Sequence, residues 1–369
     1  MTPGFLPRAR ENADVSHAVA QLKAAVAGFG MAASCHAGAY RRIDGVDLVA
    51  AYSDHVEGDR AAILAACGPD LRIFDEYERF IAESGANIIS VCTLPDRHGD
   101  HIVAAARAGK HVAAEKPICV TAAELEAINE AVRAARVQFT ACFQEFHYGA
   151  FLAAIDMVEQ GLLGRVHLAE VDYYNGIGPW VQQYWWTRTA RHGVSSMVTC
   201  GCHAMMLLTL LMGGEMPEEV TSYRARSASP AFAGYEFDPT QISLFRYSGG
   251  RVGKVTSCLD AIQPYTFRVS AVGSEGSVID DRFYTRRIAG LESTRWSRMG
   301  ARTIGDASVI GPDMYVDFLK SFVAAVRSGA PMPRTNLDTA YRMHRMLFAA
   351  DAAAELGRAV SIGADSGLL

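Results

Sequence analysis

Short apolar runs alternate with helical patterns over the first part of the chain, from about residue 23 to 143. Five of these runs are rich in β-branched and small apolar residues and are predicted strands: Ala24–Ala27, Leu48–Tyr52, Asn87–Cys92, His111–Ala114 and Phe139–Phe143. Near-continuous apolar strands separated by helices are typical of a parallel sheet that is covered on both faces. The pattern therefore predicts a doubly wound α/β domain.

One helix in this region has clear local signals. Thr121 and Glu124 have the spacing of a capping box, in which each side chain bonds the other residue's backbone N–H. The apolar residues that follow lie on one helical face: Leu125, Ile128, Val132 and Ala135. A helix that begins after Thr121 and packs that face against the sheet is predicted.

The pattern changes after about residue 150, where most of the strands are joined by tight glycine turns. A helix over Phe151–Glu159 and two terminal helices, Met314–Arg327 and Asp338–Leu356, are predicted. The predicted strands are Val166–Tyr174, Val220–Arg226, Ile242–Tyr247, Val252–Cys258, Phe267–Val272 and Ser277–Asp280. Hairpins of this kind predict an α+β domain with a large open, mainly antiparallel sheet.

These patterns divide the chain into three parts. We expect a loose arm over residues 1–22, a doubly wound parallel-sheet domain over 23–145, and an α+β domain over 146–369. The last helices could pack back on the first domain. The outer face of an open sheet that includes the Ile242–Cys258 hairpin is expected to be buried by another subunit. The expected partner is a second copy of the chain, in a homodimer or homotetramer.

Composition and charge restrict the classes of partner and the location. The net charge is −5 at pH 7 and there is no run of Lys or Arg, so neither nucleic acid nor an anionic membrane surface is an expected partner. The opening residues lack the apolar core of a secretory signal, and the run Met205–Met212 is far below the roughly 20 residues of a membrane span. Eight scattered cysteines are typical of reduced, buried thiols, and a cytoplasmic protein is expected.

A glycine motif follows the first predicted strand. Gly28-Phe29-Gly30-Met31-Ala32-Ala33 matches G-x-G-x-x-G/A, in which the glycines allow a tight turn and the approach of a pyrophosphate. Glycine is also favoured in any buried turn from strand to helix. The second strand, ending at Ser53-Asp54, strengthens the dinucleotide interpretation because an acid there holds the adenosine ribose. Asp54 favours NAD over NADP, with helix capping as its structural alternative.

Two further turns lie at the carboxyl edge of the predicted sheet, where ligands of doubly wound domains bind. Thr93-Leu94-Pro95-Asp96-Arg97-His98 follows the third strand and could wall the nicotinamide side of a cofactor. Ala114-Glu115-Lys116-Pro117-Ile118 follows the fourth strand, and Lys116 there could donate a hydrogen bond to a substrate hydroxyl. The alternatives are an ordinary strand-to-helix turn and a surface Glu–Lys pair.

Taken together, these motifs resemble the glucose–fructose oxidoreductase/inositol dehydrogenase/MocA family over roughly residues 23 to 362. GFGMAA, TLPDRH and GKHVAAEKPICVTAAEL carry the resemblance, with GLLGRVH, GRVGKV and VGSEGSVI later in the chain. It implies an NAD(P)-dependent oxidoreductase acting on a secondary hydroxyl or ketone of a sugar, glycoside or cyclic polyol. Residues 23–145 would then be its NAD(P)-binding Rossmann domain and residues 146–369 its substrate-binding and oligomerisation domain. The expected cofactor-binding residues are Gly28, Phe29, Gly30, Met31, Ala32, Ser53, Asp54, Thr93, Leu94, Pro95, His98, Glu115, Lys116 and Gln144.

The resemblance also gives a role to the segment Cys200-Gly201-Cys202-His203. Lys116 matches the lysine of E-K-P and His203 matches the histidine of the family's G-x-H segment. A neutral imidazole suits removal of a hydroxyl proton near pH 7, while Lys116 can bond the same oxygen. A haem attachment would need C-x-x-C-H, a structural zinc site would need about four ligands, and a core histidine is the remaining alternative. No metal is expected.

Two departures from the family pattern weaken a specific substrate assignment. Thr199 and Met206 stand where relatives often have acids, four residues before and three after His203. Gln144-Glu145 stands directly after the strand Phe139–Phe143, where relatives often have an arginine. Either His203 acts with Lys116 alone, or the substrate site is configured differently.

Aromatic and polar residues before this segment are candidates for the substrate lining. Aromatic planes with Arg and His suit stacking on, and bonding to, a sugar ring, although the aromatics could instead pack a domain junction. Trp186, Arg188, His192 and Thr199 are the expected substrate-binding residues, near Trp180, Tyr184 and Trp185. The acid-free histidine segment, with Gln263-Pro264-Tyr265, resembles branches that handle glycosides or bulky cyclic substrates. A tightly held, self-recycling cofactor and a non-catalytic sensor of the same fold are the alternative functions.

Overall fold

The computed structural model describes residues 21–147, 149–178, 181, 185–300 and 311–363. The expected arm over residues 1–22 lies almost entirely outside them. Six parallel strands form the first sheet, in the order β3-β2-β1-β4-β5-β6. They are β1 Leu22–Ala27, β2 Val46–Tyr52, β3 Arg72–Phe74, β4 Ile88–Val91, β5 His111–Ala114 and β6 Phe139–Ala141. This strand order is that of a dinucleotide-binding Rossmann sheet, as predicted.

Helices connect these strands and cover both faces of the sheet. They are α1 Met31–Tyr40, α2 Val56–Cys67, α3 Tyr77–Glu83, α4 Pro95–Arg107 and α5 Ala122–Ala135. Helix α5 begins as predicted, because the Thr121 side chain accepts from the Glu124 N–H and the Glu124 carboxylate accepts from the Thr121 N–H. The topology brings the ends of β1, β4, β5 and β6 to one edge.

The second sheet has nine strands in the order β14-β13-β12-β11-β7-β10-β9-β8-β15. They are β7 Val166–Gly176, β8 Glu219–Ala225, β9 Thr240–Tyr247, β10 Arg251–Ala261, β11 Thr266–Gly273, β12 Gly276–Ile279, β13 Arg282–Thr285, β14 Ser297–Arg298 and β15 Val360–Ser361. The prediction of a mainly antiparallel sheet is confirmed. One central pair, β7 with β10, runs parallel.

The remaining helices pack between the sheets or return to the first one. They are α6 Gly149–Glu159, α7 Ala190–Gly193, α8 Cys202–Leu211, α9 Pro312–Ser328 and α10 Leu337–Leu356. Helix α9 returns to the Rossmann sheet, where Tyr315, Phe318 and Phe322 share a buried cluster with residues of α1 and β1. The end of the chain adds β15 to the second sheet beside β8.

The segment Ala190–Leu211 has the length and mean hydropathy of a membrane-spanning helix, and 83% of its most apolar window is buried inside the protein. Its last part, α8, packs on β7, β10 and α10. Burial in the core accounts for this apolar composition without a membrane.

Candidate active site

The glycine turn after β1 fits the phosphates of a dinucleotide. Gly28 has φ +85°, and a Cβ there would lie 2.6 Å from the carbonyl oxygen of Cys92. A Cβ on Gly30 would have no neighbour within 4 Å, so the space above this residue is open. Helix α1 begins directly after Gly30 with no side-chain cap and no acid in its first turn. Its first N–H groups and its dipole are therefore available to an anion.

The other residues expected to contact the cofactor differ in exposure. Phe29 and Ala32 are half-buried, and Met31 is exposed. Ser53 is buried, and its hydroxyl donates to Asp59 and accepts from the His55 N–H. Asp54 is exposed at the end of β2. Of the two candidates for the ribose, Asp54 is the accessible one.

The Thr93–His98 turn is tied to the Lys116 turn by a buried histidine. Leu94 precedes α4 and Pro95 opens it. His98 lies between two carbonyl oxygens, with Nδ1 2.7 Å from Pro117 O and Nε2 2.9 Å from Thr93 O. Burial lowers the pKa of His98 although both carbonyls favour the protonated ring, and an uncharged ring donates to one of the two carbonyls at a time. Its role in the structure is to join the two turns.

Glu115 is directed into the fold. Its Oε1 accepts from Tyr315 at 3.0 Å and lies 3.3 Å from His36 Nε2, and its Oε2 accepts from the Lys116 backbone N–H at 3.2 Å. Burial opposes the charge of this carboxylate, but the hydrogen bond and charge of His36, with Lys116 and Tyr315, lower the pKa of Glu115 on balance. Glu115 thus fixes the turn from which the Lys116 side chain extends.

Lys116 is half-buried at the end of β5, followed by a cis peptide bond to Pro117. Burial opposes its charge, but nearby Cys202 and Cys200, then Glu115 and Glu145, raise the pKa of the ammonium. Burial also raises the pKa of both thiols, that of Cys202 to about 12, so both are neutral at pH 7. At that pH the negative charges that favour the ammonium of Lys116 are those of Glu115 and Glu145. Lys116 is therefore a cationic hydrogen-bond donor at neutral pH and not a base.

The ring of His203 is held on three sides. Its Nδ1 donates to Glu145 Oε1. Tyr173 of β7 lies parallel to it at 5.6 Å and 9°, and Phe143 meets it edge-on at 5.5 Å. Its Nε2 makes no hydrogen bond to any residue in the described part of the chain. A single ring nitrogen is thus left for a ligand, at a side chain that is 12% exposed.

Glu145 is the residue that the sequence reasoning missed. It lies in a short 3₁₀ turn, Gln144–His147, directly after β6, beside the expected cofactor residue Gln144. Both are buried, and Gln144 Oε1 and Glu145 Oε2 have no hydrogen-bond partner among the described residues. The usual acids near His203 in the sequence are missing, and Glu145 instead supplies a carboxylate from the turn after β6. Its place at the carboxyl edge was the available signal.

The cysteines and one mixed cluster bear on metal binding. Cys202 Sγ donates to Thr199 O, and Cys200 lies beside the Tyr173 hydroxyl. A buried trio elsewhere, His36, Glu115 and Cys142, places one potential ligand atom of each within 4.8 Å of the others. His36 and Glu115 are already bonded to each other and to Ser90 and Tyr315. Hydrogen bonding alone accounts for this arrangement.

The residues expected to line the substrate contact several different elements. Arg188 donates through Nη2 to Val181 O at 2.8 Å, and His192 Nδ1 lies 2.8 Å from Asp96 Oδ1 of α4. Thr199 is buried in a π turn, Met197–Gly201, that leads into α8, and Trp186 is half-buried. Trp180 and Tyr184 lie outside the described residues, as does the side chain of Trp185. His192 therefore lies beside Asp96 of α4, on the Rossmann side of the molecule.

Comparisons with known proteins agree with this architecture. A family model described as an oxidoreductase family with an NAD-binding Rossmann fold matches residues 22–143, and the GFO/IDH/MocA C-terminal domain matches residues 151–279. The myo-inositol 2-dehydrogenase of Thermotoga maritima is 23% identical over 310 residues, which are 84% of this chain and 90% of the relative.

Solved structures share the fold over nearly the whole chain. Levoglucosan dehydrogenase, in complex with NADH and levoglucosan, superposes with a TM-score of 0.78 at 18% identity, covering 93% of this chain and 99% of its own. GenD2 from gentamicin A biosynthesis, in complex with NAD, superposes with a TM-score of 0.75 at 22% identity, covering 98% and 100%. With both family models matched in order, the chain belongs to the GFO/IDH/MocA oxidoreductase family, and its first domain is an NAD-binding Rossmann domain.

Proposed function

We propose that this oxidoreductase transfers a hydride between NAD and a secondary hydroxyl or ketone carbon of a sugar, glycoside or cyclic polyol. The observation that carries the proposal is the junction of Lys116, Glu145 and His203. Lys116 and Glu145 follow neighbouring strands at the cofactor edge, and Glu145 bonds His203 of the second domain. Oxidation of a carbinol requires such a junction, because the cofactor must reach the carbon that loses the hydride while a proton acceptor reaches the hydroxyl on the same carbon.

The chain's own groups divide the proton chemistry. In the oxidative direction His203 Nε2 accepts the hydroxyl proton, because Nδ1 is already used by Glu145. Lys116, a cation at neutral pH, donates a hydrogen bond to the same oxygen and stabilises the negative charge that develops there. When bound, NAD supplies the hydride acceptor. In the reverse direction His203 returns the proton to the carbonyl oxygen.

Two observations support a cyclic substrate. Tyr173, which lies against His203, is met edge-on by Tyr265 at 5.4 Å and by Phe267 at 5.6 Å. Aromatic walls of this kind suit the apolar faces of sugar and polyol rings. The named relatives act on myo-inositol and bind levoglucosan, both of which are cyclic polyhydroxy compounds.

The test is reduced-nicotinamide absorbance with a panel of inositols, sugars, anhydrosugars and glycosides, each with NAD and with NADP. We expect turnover with NAD, and roughly a 10²-fold to 10⁴-fold loss of kcat in Lys116→Ala and His203→Ala. Unchanged KM for NAD in His203→Ala serves as the control for folding and cofactor binding. Undiminished turnover in both variants would contradict the proposed roles.

The domain limits, the assembly and the location belong to the same proposal. We assign residues up to about 145 to cofactor binding and those from 146 to the substrate and to self-association, with α9 returned to the first domain. The exposed apolar outer face of the second sheet supports a homo-oligomer. The eight cysteines are all free, which supports a reducing, cytoplasmic location.

A further inference from the structure

We propose that Glu145 is the positioning residue for His203, doing from the Rossmann side what no carboxylate on the histidine's own helix can do. The inference rests on the proposed function, because it assumes that His203 transfers the proton. It goes further by assigning the tautomer and orientation of that ring to a residue 58 positions earlier in the chain.

The first step of the argument is the choice of ring nitrogen. An ionised carboxylate only accepts hydrogen bonds, so the bond to Glu145 Oε1 requires the proton on Nδ1. The neutral ring then carries its lone pair on Nε2, the nitrogen that has no bond to a described residue. The side chains of His203 and Glu145 are 12% and 7% exposed, so solvent competes little for this bond.

The second step separates orientation from tautomer. Tyr173 and Phe143 fix the plane of the ring, because one lies parallel to it and the other at 89°. Neither aromatic ring distinguishes Nδ1 from Nε2. Among the described residues, Glu145 is the group whose hydrogen bond makes that distinction.

The third step concerns the second oxygen of the carboxylate. Glu145 Oε2 is buried and has no hydrogen-bond partner among the described residues. A buried acceptor without a partner is destabilising, and such groups are tolerated mainly where function needs them. An ion pair that served only to stabilise the fold would not require a buried carboxylate oxygen without a partner. The electrostatic contact with Lys116 places the same carboxylate beside both catalytic candidates.

The fourth step is the lack of a local substitute. Thr199 and Met206, which lie four residues before and three after His203 on the same helical stretch, are both buried and neither is acidic. A carboxylate for Nδ1 must therefore come from elsewhere in the chain. The turn after β6 provides it.

The experiment compares Glu145→Gln, Glu145→Asp and the control Glu170→Gln in the full-length enzyme. Glu170 is a carboxylate on β7 that pairs with Lys254 at 3.7 Å, away from His203. We expect Glu145→Gln to lower kcat roughly 10²-fold with the KM for NAD unchanged, and Glu145→Asp to recover at least about tenfold of that loss. The pH profile of kcat/KM should also change in Glu145→Gln, because Nδ1 of His203 loses the carboxylate beside it.

A second readout does not depend on turnover. Nitrogen-15 NMR of histidine-labelled protein distinguishes the two neutral tautomers, and His203→Ala assigns the signal. We expect the Nδ1–H form in the wild type and in Glu170→Gln, and a shift toward the Nε2–H form in Glu145→Gln.

The outcomes separate this inference from the proposed function. If His203→Ala is inactive while Glu145→Gln keeps full kcat and the same tautomer, the positioning role is wrong and the proposed function stands. If His203→Ala is fully active, the proposed function itself fails. Reduced melting temperature in Glu145→Gln, with kcat, pH profile and tautomer unchanged, would leave Glu145 a structural residue only.

Discussion

At the level of single residues, Gly28 and Gly30 differ in what a side chain would meet. Gly28 has a positive φ, and a Cβ added there would lie only 2.6 Å from the backbone oxygen of Cys92. Gly30 has open space in front of it and extended backbone geometry. The first glycine therefore serves the fold, and the second serves whatever approaches the start of α1.

We predict that Gly28→Ala reduces stability, whereas Gly30→Ala reduces the affinity for NAD. Gly28→Ala should lower the free energy of unfolding by at least about 1–2 kcal/mol, the cost of a left-handed non-glycine residue, with the backbone clash added. Gly30→Ala should keep the melting temperature and raise the Kd for NAD about tenfold or more, because its Cβ enters the space of the pyrophosphate. Thermal denaturation and fluorescence titration with NADH measure the two effects. Equal affinity in Gly30→Ala and wild type would contradict the assignment.

The residues of the site were predictable from the sequence to different degrees. Lys116, His203 and the glycine turn carry their own local signals, because a motif at a strand end fixes where they lie. Glu145 carried no such signal, since its contact with His203 depends on how one sheet faces the other. Glu115 and His98 were expected at the cofactor, and the structure turns their side chains into the fold because buried polar groups must find partners.

At the level of elements, the Lys116–Pro117–Ile118 turn is held between two buried histidines. His98 of α4 reaches Pro117 O, and His344 of α10 accepts from the Ile118 N–H at 3.1 Å through Nε2. His344 Nδ1 donates to Ala340 O at 2.8 Å, so the ring is a neutral Nδ1–H tautomer. Burial lowers the pKa of His344 to about 4.

This geometry gives a pH dependence of stability with a definite sign. The pKa of His344 is depressed in the folded protein from its unfolded value of about 6.5, so the unfolded state binds more protons between pH 4 and 6.5. The free energy of unfolding should therefore fall as the pH falls through that window, by up to about 1.4 kcal/mol per pH unit for this site. Urea unfolding at a series of pH values measures the slope.

The variant His344→Gln keeps an acceptor for the Ile118 N–H and removes the titration. We expect the free energy of unfolding to change less steeply with pH in this variant, by up to about 1.4 kcal/mol per pH unit, which corresponds to one proton. This holds even if the variant is less stable than the wild type at pH 7. The exposed His167→Gln serves as the control and should keep the wild-type slope. The same slope in wild type and His344→Gln would show that His344 does not contribute.

The elements themselves followed from periodicity and capping. The Thr121 capping box and the buried strands His111–Ala114 and Asn87–Cys92 were predictable because their causes are local. The parallel pairing of β7 with β10 was not, since it joins residues far apart in the sequence. Tertiary packing decides such pairings, and the period of the residues is the same in either arrangement.

At the level of the whole molecule, the outer face of the second sheet is apolar at one end. Tyr223, Ile242, Leu244 and Val252 are each at least 39% exposed on neighbouring strands β8, β9 and β10. Toward β7 the same face carries Lys254, 3.0 Å from Asp172. An apolar surface bordered by ion pairs is typical of an interface between protein subunits.

We expect the wild type to be a dimer or tetramer through this face, and Ile242→Lys/Leu244→Lys to dissociate it, because two charges would be buried without partners. Size-exclusion chromatography with light scattering at micromolar concentration measures the mass. Ile262→Lys is the matched control, since Ile262 is 91% exposed in the turn after β10, off this strand face. A monomeric wild type, or an unchanged mass in the double variant, would contradict this interface.

The bond between Glu145 and His203 also limits how the two halves of such an enzyme can be exchanged. The carboxylate is encoded with the cofactor half and the imidazole with the substrate half, so a crossover near residue 148 separates them. A relative that carries an acid four residues before its histidine would receive a second carboxylate from this cofactor half. In the reciprocal chimera, this chain's His203 would have none. The two halves therefore have to be inherited, or engineered, as a matched pair.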